Sequence, residues 1–218
     1  MGYEMMNKFF DIFQLTSLAF FIVLFTGRTL YLWFTQRINP FALGAGKKGV
    51  PRLLELILFP WLVLWMLALI LSALHISFDL VPVLWNPVWL DLLPTKILGV
   101  LMILAGDTVF VWALISFGNS WRIGIDEKSA GALVTNGIFA FSRNPIFAFI
   151  DLYFVGTFLV NGTLVFLIFA VMTVIGLHYQ ILQEENFLSS RYGQAYRDYC
   201  TQAGRYVNLK AILQRPGK

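Results

Sequence analysis

Five long apolar runs constrain this chain more than any other feature of its sequence. They extend from about Phe13 to Phe34, Leu53 to Leu74, about Lys96 to Phe117, Ile146 to Val160 and Thr163 to Leu182. A helix needs about 20 apolar residues to cross the hydrocarbon core of a bilayer. The fourth run is short for a full span, and only Asn161 and Gly162 separate it from the fifth. That spacing predicts a tight helical hairpin turned by the Asn-Gly pair. Helices are expected because lipid cannot satisfy an open backbone, and the runs lack the period-2 alternation of barrel strands. The expected fold class is all-α: a polytopic membrane helix bundle of about five transmembrane helices, the last two forming the hairpin. Composition agrees, with 58% hydrophobic and 13% charged residues against roughly 25% charged in a soluble domain.

The basic residues predict a direction across the membrane. Thirteen of the sixteen Lys and Arg fall in three segments. The segment Gln36 to Arg52 carries Arg37, Lys47, Lys48 and Arg52, and the segment Gly118 to Arg143 carries Arg122, Lys128 and Arg143. The tail after Gln183 carries Arg191, Arg197, Arg205, Lys210, Arg215 and Lys218. With five spans all three segments lie on one side, which the positive-inside rule makes cytosolic. The opposite loop, His75 to Pro94, holds Asp79 and Asp91 and no Lys or Arg. The expected orientation has the N-terminus outside and the C-terminus in the cytosol.

The net charge of +4 then describes a stripe facing anionic lipid headgroups. Nucleic acid is not an expected partner, because the basic residues are spread over membrane loops instead of gathered on a soluble module. Cys200 is the single cysteine, which excludes a disulfide within the chain and a metal site of clustered Cys and His. The first run lacks the cleavage site of a signal peptide and reads as an anchor. No linker rich in Pro, Gly or Ser and no internal repeat divides the chain. Residues 1–218 are expected to form one membrane domain, residues 1–95 giving the first two helices and the outer loop.

Ionisable residues inside a membrane are costly and mark candidate sites. Arg28 and Asp151 each lie about 9 Å from the cytosolic edge by helical rise, a depth at which they can form an ion pair. Asp107 lies nearer the middle of the third run, with no partner evident in the sequence. Two motifs are set aside. Gly44 to Gly49 fits the G-x-G-x-x-G spacing, but a dinucleotide needs that pattern between a strand and a helix; here it reads as a basic loop. Asn161-Gly162-Thr163 matches a glycosylation acceptor but reads as the hairpin turn. Trp85 and Trp89 suit an interfacial belt, and His75 reads as an outer-loop residue without a catalytic role.

The chemistry-bearing stretch is the cytosolic end of the last three runs. It holds Gly118 to Arg122, Leu133 to Phe139, then Ser142-Arg143-Asn144-Pro145-Ile146-Phe147. Pro145 suits the first turn of a helix, where its missing N–H costs little. Arg143 with that helix N-terminus makes a favourable place for a carboxylate. Glu184 and Glu185 are expected to close the fifth helix, where acids oppose the macrodipole, which suggests a cationic partner such as a ligand amine or Arg205. His178 precedes Glu185 by two turns on nearly the same face. From Phe187 to Tyr199, the spacing of Leu188, Tyr192, Tyr196 and Tyr199 predicts an amphipathic helix on the cytosolic side.

From Gly118 to Tyr206 the chain resembles the isoprenylcysteine carboxyl methyltransferase family and its bacterial relatives, which also resemble phospholipid N-methyltransferases. The resemblance rests on Arg143-Asn144-Pro145-Ile146-Phe147, on Glu184-Glu185-Asn186-Phe187-Leu188, and on Tyr192-Gly193, Tyr196, Tyr199 and Arg205-Tyr206. Asn144 stands where the family commonly has His, and Phe147 where it has Tyr; Asn can donate and accept hydrogen bonds but does not titrate as His does. The resemblance implies a methyltransferase core over residues 96–218, S-adenosylmethionine as methyl donor, a lipophilic small-molecule acceptor, and a bacterial inner membrane as the setting. Asn144, Pro145, Phe147, Glu184, Glu185, Tyr192 and Tyr196 are the expected donor-binding residues. Arg143, Asn144 and Arg205 are the expected catalytic residues, with an arginine holding an acceptor carboxylate. Two other readings stand beside it: a sterol-type reductase using NADPH on Arg122, Lys128 and Arg143, and a non-enzymatic binding or transport protein centred on Asp107.

Overall fold

The structure, a computed structural model, describes residues 2–35, 37, 50–76, 90–118 and 133–208. Among them are six α-helices: α1 (Gly2–Phe34), α2 (Val50–Ala73), α3 (Leu93–Phe117), α4 (Pro145–Asn161), α5 (Leu164–Tyr192) and α6 (Gln194–Gln202), with a 3₁₀ turn at Gly137–Ala140 before α4. Four of them, α1, α2, α3 and α5, are long and apolar enough to cross a membrane. The fifth apolar helix, α4, has 17 residues and is about 25 Å long by helical rise. This is an all-α polytopic membrane bundle. The Gly44–Gly49 loop, Trp85, Trp89, Arg122, Lys128 and the last basic residues lie outside the described residues.

The hairpin between α4 and α5 forms where the sequence places it. Asn161 ends α4, and Gly162 follows with φ 65° and donates its N–H to Phe158 O at 2.7 Å. That left-handed conformation suits glycine, which has no Cβ to clash. Other boundaries differ from the expectation. α1 begins at Gly2, well before Phe13, because its polar first turns find partners: Lys96 Nζ donates to Asn7 Oδ1 at 3.1 Å, and His75 Nε2 lies 3.1 Å from Asp11 Oδ2. α5 runs on to Tyr192. Glu184 and Glu185 are therefore interior helical residues, and the dipole penalty expected of them does not arise. Gly193, at φ 55°, stops α5 and divides the aromatic stripe between two helices.

Lipid tails are as apolar as leucine, so helices in a bilayer associate through close packing and hydrogen bonds. Both are present. α3 and α4 approach so closely that a Cβ on Gly99 would lie 2.6 Å from Gly156 O, and one on Gly156 would lie 2.7 Å from Ile103 Cγ1. A Cβ on Gly106 would lie 3.3 Å from Phe149 Cδ2. α2 is tied to the hairpin by polar side chains: Trp61 Nε1 donates to Thr173 Oγ1 (2.9 Å), Trp65 Nε1 to Thr157 Oγ1 (3.3 Å) and Ser72 Oγ to Asn161 Oδ1 (2.9 Å). Asn161 Nδ2 in turn reaches Gln14 Oε1 of α1 at 2.7 Å. Aromatic rings fill the space between, including the stacked pairs Trp65–Phe154 (4.4 Å) and Phe110–Phe149 (4.7 Å).

The Arg28–Asp151 pair does not form. Arg28 instead donates to the Gly118 carbonyl at the end of α3 and lies over the Tyr31 ring, satisfying α3's C-terminus with a cation. Asp151 makes no ion pair among the described residues, and its Oδ1 is buried without a hydrogen-bond partner.

Replacing Gly156 by Val should lower stability in detergent by about 1–3 kcal/mol through overpacking. Gly27→Ala is the control, since a Cβ there meets nothing within 4 Å; it should be neutral or slightly stabilising. Thermal unfolding followed by circular dichroism checks both.

Candidate active site

Proline and glycine set the local geometry of the site. Pro145 is the first residue of α4, and Asn144 precedes it with φ −132° and ψ 55°, outside the helical region that a following proline disfavours. Residues 141–143 then run beside residues 204–208. Ser142 and Gly204 form an isolated parallel bridge; Arg143 N donates to Gly204 O at 2.8 Å, and Asn208 N donates to Phe141 O at 2.9 Å. A Cβ on Gly204 would lie 2.6 Å from Val207 O, so this tight return of the chain requires glycine. α6 holds the segment in place: Tyr196, Tyr199 and Ala203 pack on Ile138 and Phe139 of the 3₁₀ turn and Ala113 of α3. Tyr199 adds a hydrogen bond to Phe139 O at 2.7 Å.

These contacts bring Arg143, Asn144, Glu185 and Arg205 into one cluster. Glu185 Oε1 accepts from Arg143 Nη2 at 2.8 Å and lies 3.5 Å from Asn144 Nδ2. Glu185 Oε2 accepts from Arg205 Nε at 3.1 Å and Nη2 at 2.8 Å. Asn144 Nδ2 also donates to Arg205 O at 3.1 Å. The place beside Arg143 and the α4 N-terminus that suits a carboxylate is thus taken by the chain's own Glu185. Arg143 and Glu185 are nearly buried, with side chains 11% and 12% exposed, while Arg205 is 40% exposed. The hydrogen bonds that Arg205 donates to Glu185 hold its guanidinium above its ordinary range.

Two arginines share one carboxylate, which leaves one positive charge in excess. Arg143 Nε is buried with no partner among the described residues, a donor available to a ligand oxygen. Beside it the Tyr196 hydroxyl adjoins the Cys200 thiol and has no stronger partner among the described residues. Burial, reinforced by the Glu185 charge, pushes that hydroxyl well above the usual tyrosine range, and burial does the same to Tyr199.

Of the remaining residues predicted from sequence, Pro145 is buried and Phe147, Glu184 and Tyr192 are half-buried around the cluster's helices. Tyr196 is part of the core beneath α6. The sequence did not single out Gly204 or its pairing with Ser142, which joins chain segments about sixty residues apart. Nor did it place Tyr206, whose hydroxyl meets His178 Nδ1 at 3.0 Å. Burial, and then the neighbouring Asp151 charge, raise the Tyr206 hydroxyl above its usual range.

A bundle of apolar helices with a polar, positively charged cluster where α4 begins defines a membrane protein with a site at one end of its helices. Residues 94–195 match the family model of phospholipid methyltransferase, PEMT, whose superfamily includes the isoprenylcysteine carboxyl methyltransferases. No curated protein matches the sequence. The match covers just under half of the chain and indicates a membrane methyltransferase. It spans α3, α4, α5 and the first residues of α6, so Arg143, Asn144, Glu184 and Glu185 lie inside it while Tyr196 and Arg205 follow it.

Removing Arg143 should cost more than removing Arg205, because Arg143 is nearly buried and its loss leaves Glu185 Oε1 without its charged donor, whereas the exposed Arg205 is screened by solvent. Arg143→Gln is expected to lower stability by about 1.5–3 kcal/mol, the range of a hydrogen bond to a charged group, and Arg205→Gln by about 1 kcal/mol or less, as read by thermal unfolding. Glu185→Gln should free residues 203–208 to limited proteolysis. Tyr196 and Tyr199 have folded pKa values above the unfolded value of about 10, so the unfolded chain loses those protons first. Stability should therefore be flat in this respect up to about pH 10 and fall above it, with Tyr199→Phe reducing the alkaline slope.

Proposed function

We propose that this chain is an integral-membrane methyltransferase that uses S-adenosylmethionine to methylate a lipophilic small molecule. In this reading the N-terminus is outside and the Glu185 cluster faces the cytosol of a bacterial cell. The observation that carries the reading is the Glu185 cluster at the mouth of α4, within helices that match a methyltransferase family. The excess positive charge and the unpartnered Arg143 Nε suit a carboxylate, which both the methionine part of the donor and a carboxylate acceptor supply.

Bound donor supplies an electrophilic methyl group on a sulfonium. The chain's task in an in-line displacement is alignment and exclusion of water. Glu184 or Glu185 would hold the donor's amine, with Asn144 at its polar end and Pro145 and Phe147 shaping the wall. Tyr192 would border the adenine and sulfonium, which aromatic faces attract, while Tyr196, buried in the core beneath α6, would back that wall. Arg143 or Arg205 holds the acceptor carboxylate, as in isoprenylcysteine carboxyl methylation, and the strap formed by residues 203–208 keeps water out. A carboxylate acceptor needs no general base.

A second reading has specific support. A phospholipid amine would need a base to take its proton, and the family matched is named for phospholipids. His178, hydrogen-bonded to Tyr206, and Asp151, with a buried unpartnered oxygen, are placed to receive an ammonium and its proton.

Calorimetry on detergent-purified protein should show donor binding, weakened at least tenfold, about 1.4 kcal/mol, in a Glu184→Gln/Glu185→Gln double variant; NADPH should not bind. Incubation with methyl-labelled donor and lipid extract then separates the acceptors. A methyl ester releases its label in base, whereas an N-methyl product keeps it. Binding of NADPH without the donor would favour a reductase and overturn the proposal.

A further inference from the structure

A groove of about 650 Å³ opens between α1 and α3, away from the Glu185 cluster. Its walls include Phe20, Leu104, Val111, Trp112 and Ile115. Phe20, Leu104, Trp112 and Ile115 are exposed, so the groove opens on the surface that meets lipid in a membrane-spanning bundle. Its size falls within the roughly 300–1,000 Å³ of small-molecule sites.

The groove has a polar floor. Asp107 lies there, 8% exposed. Ser17 Oγ donates to Asp107 Oδ2 at 2.7 Å, and the Tyr153 hydroxyl donates to Ser17 Oγ at 2.8 Å. The second carboxyl oxygen, Oδ1, is buried without a partner among the described residues. Thr108, also in the groove, spends its hydroxyl proton on Leu104 O at 2.8 Å. A structural relay from Tyr153 to Asp107 engages one oxygen only. The other pays the cost of an unmet polar atom in the middle of the bundle.

We propose that this groove binds a lipophilic alcohol from the bilayer, its apolar body along the α1–α3 walls and its hydroxyl on the Asp107 carboxyl. A hydroxyl both donates and accepts, so it pairs with the carboxyl whether or not Asp107 carries a proton, and it brings no charge into the hydrocarbon. The terminal torsion of an aspartate is soft, so a small rotation turns Oδ1 toward the groove. Along α3, Asp107 is about 15 Å from Phe117, which separates this site from the cluster at the mouth of α4. The inference is independent of the methyl-transfer reading.

The probe is a photoreactive, diazirine-bearing hexadecanol applied to the full-length protein in micelles. Labelled peptides are mapped, and labelling is competed with hexadecanol and with heptadecane, which carries CH₃ in place of OH. The label is expected on α1 and α3. The preference for hexadecanol over heptadecane should shrink about tenfold in Asp107→Leu, the effect of one hydrogen bond. Val111→Trp, which keeps the carboxyl and fills the groove, should remove labelling altogether and serves if Asp107→Leu does not fold. An equal preference in wild type and Asp107→Leu, labelling that persists in Val111→Trp, or label outside α1 and α3 would each overturn the proposal.

Discussion

Hydrocarbon solvent gives a helix no gain for hiding an apolar side chain, and the fold of this chain follows from that constraint. What remains to hold the bundle is the contact of backbone with backbone and the pairing of polar groups. Gly99 and Gly156 provide the first between α3 and α4. The second comes from a sparse set of side chains, two indoles on threonines and an asparagine shared between α2 and α1. The short helix α4 is the hub. It touches α3 through glycine, α2 through Thr157 and Asn161, and α1 through Tyr153. The two residues just before it, Arg143 and Asn144, enter the cluster.

The cluster obeys the opposite economy. A carboxylate is held by two arginines from separate parts of the chain. A single Glu–Arg pair would be neutral, whereas the second arginine leaves these three side chains with a net positive charge. Glu185 is a structural element, since it joins α5 to the start of α4 and to the C-terminal segment. That double tie offsets the cost of burying an acid.

Much of this was legible in the sequence. Apolar run lengths gave the helices, and Asn161-Gly162 gave the hairpin, because both are local signals. Arg143, Asn144, Glu185 and Arg205 are all among the candidates that the sequence offers, with Arg205 or a ligand amine as the cation for the acids, and the fold brings these four together. The failures share a cause. The Arg28–Asp151 pair was inferred from equal depth, yet depth says nothing of the angle around the bundle, and Arg28 faces the end of α3. The tyrosine stripe was read as one helix because its spacing is helical, while a single glycine at φ 55° breaks it. The role of Ser17 as partner to Asp107 depends on the packing of α1 on α3, across ninety residues of sequence.

The strap of residues 204–208 lying along residues 141–143 has a consequence for how the cluster is closed. It follows every described helix in the sequence, and Arg205, the second cation on Glu185, belongs to it. Whenever the strap is undocked, Glu185 has one arginine instead of two. The helices can therefore be packed while the cluster is still open, and docking of the last described segment is what completes it.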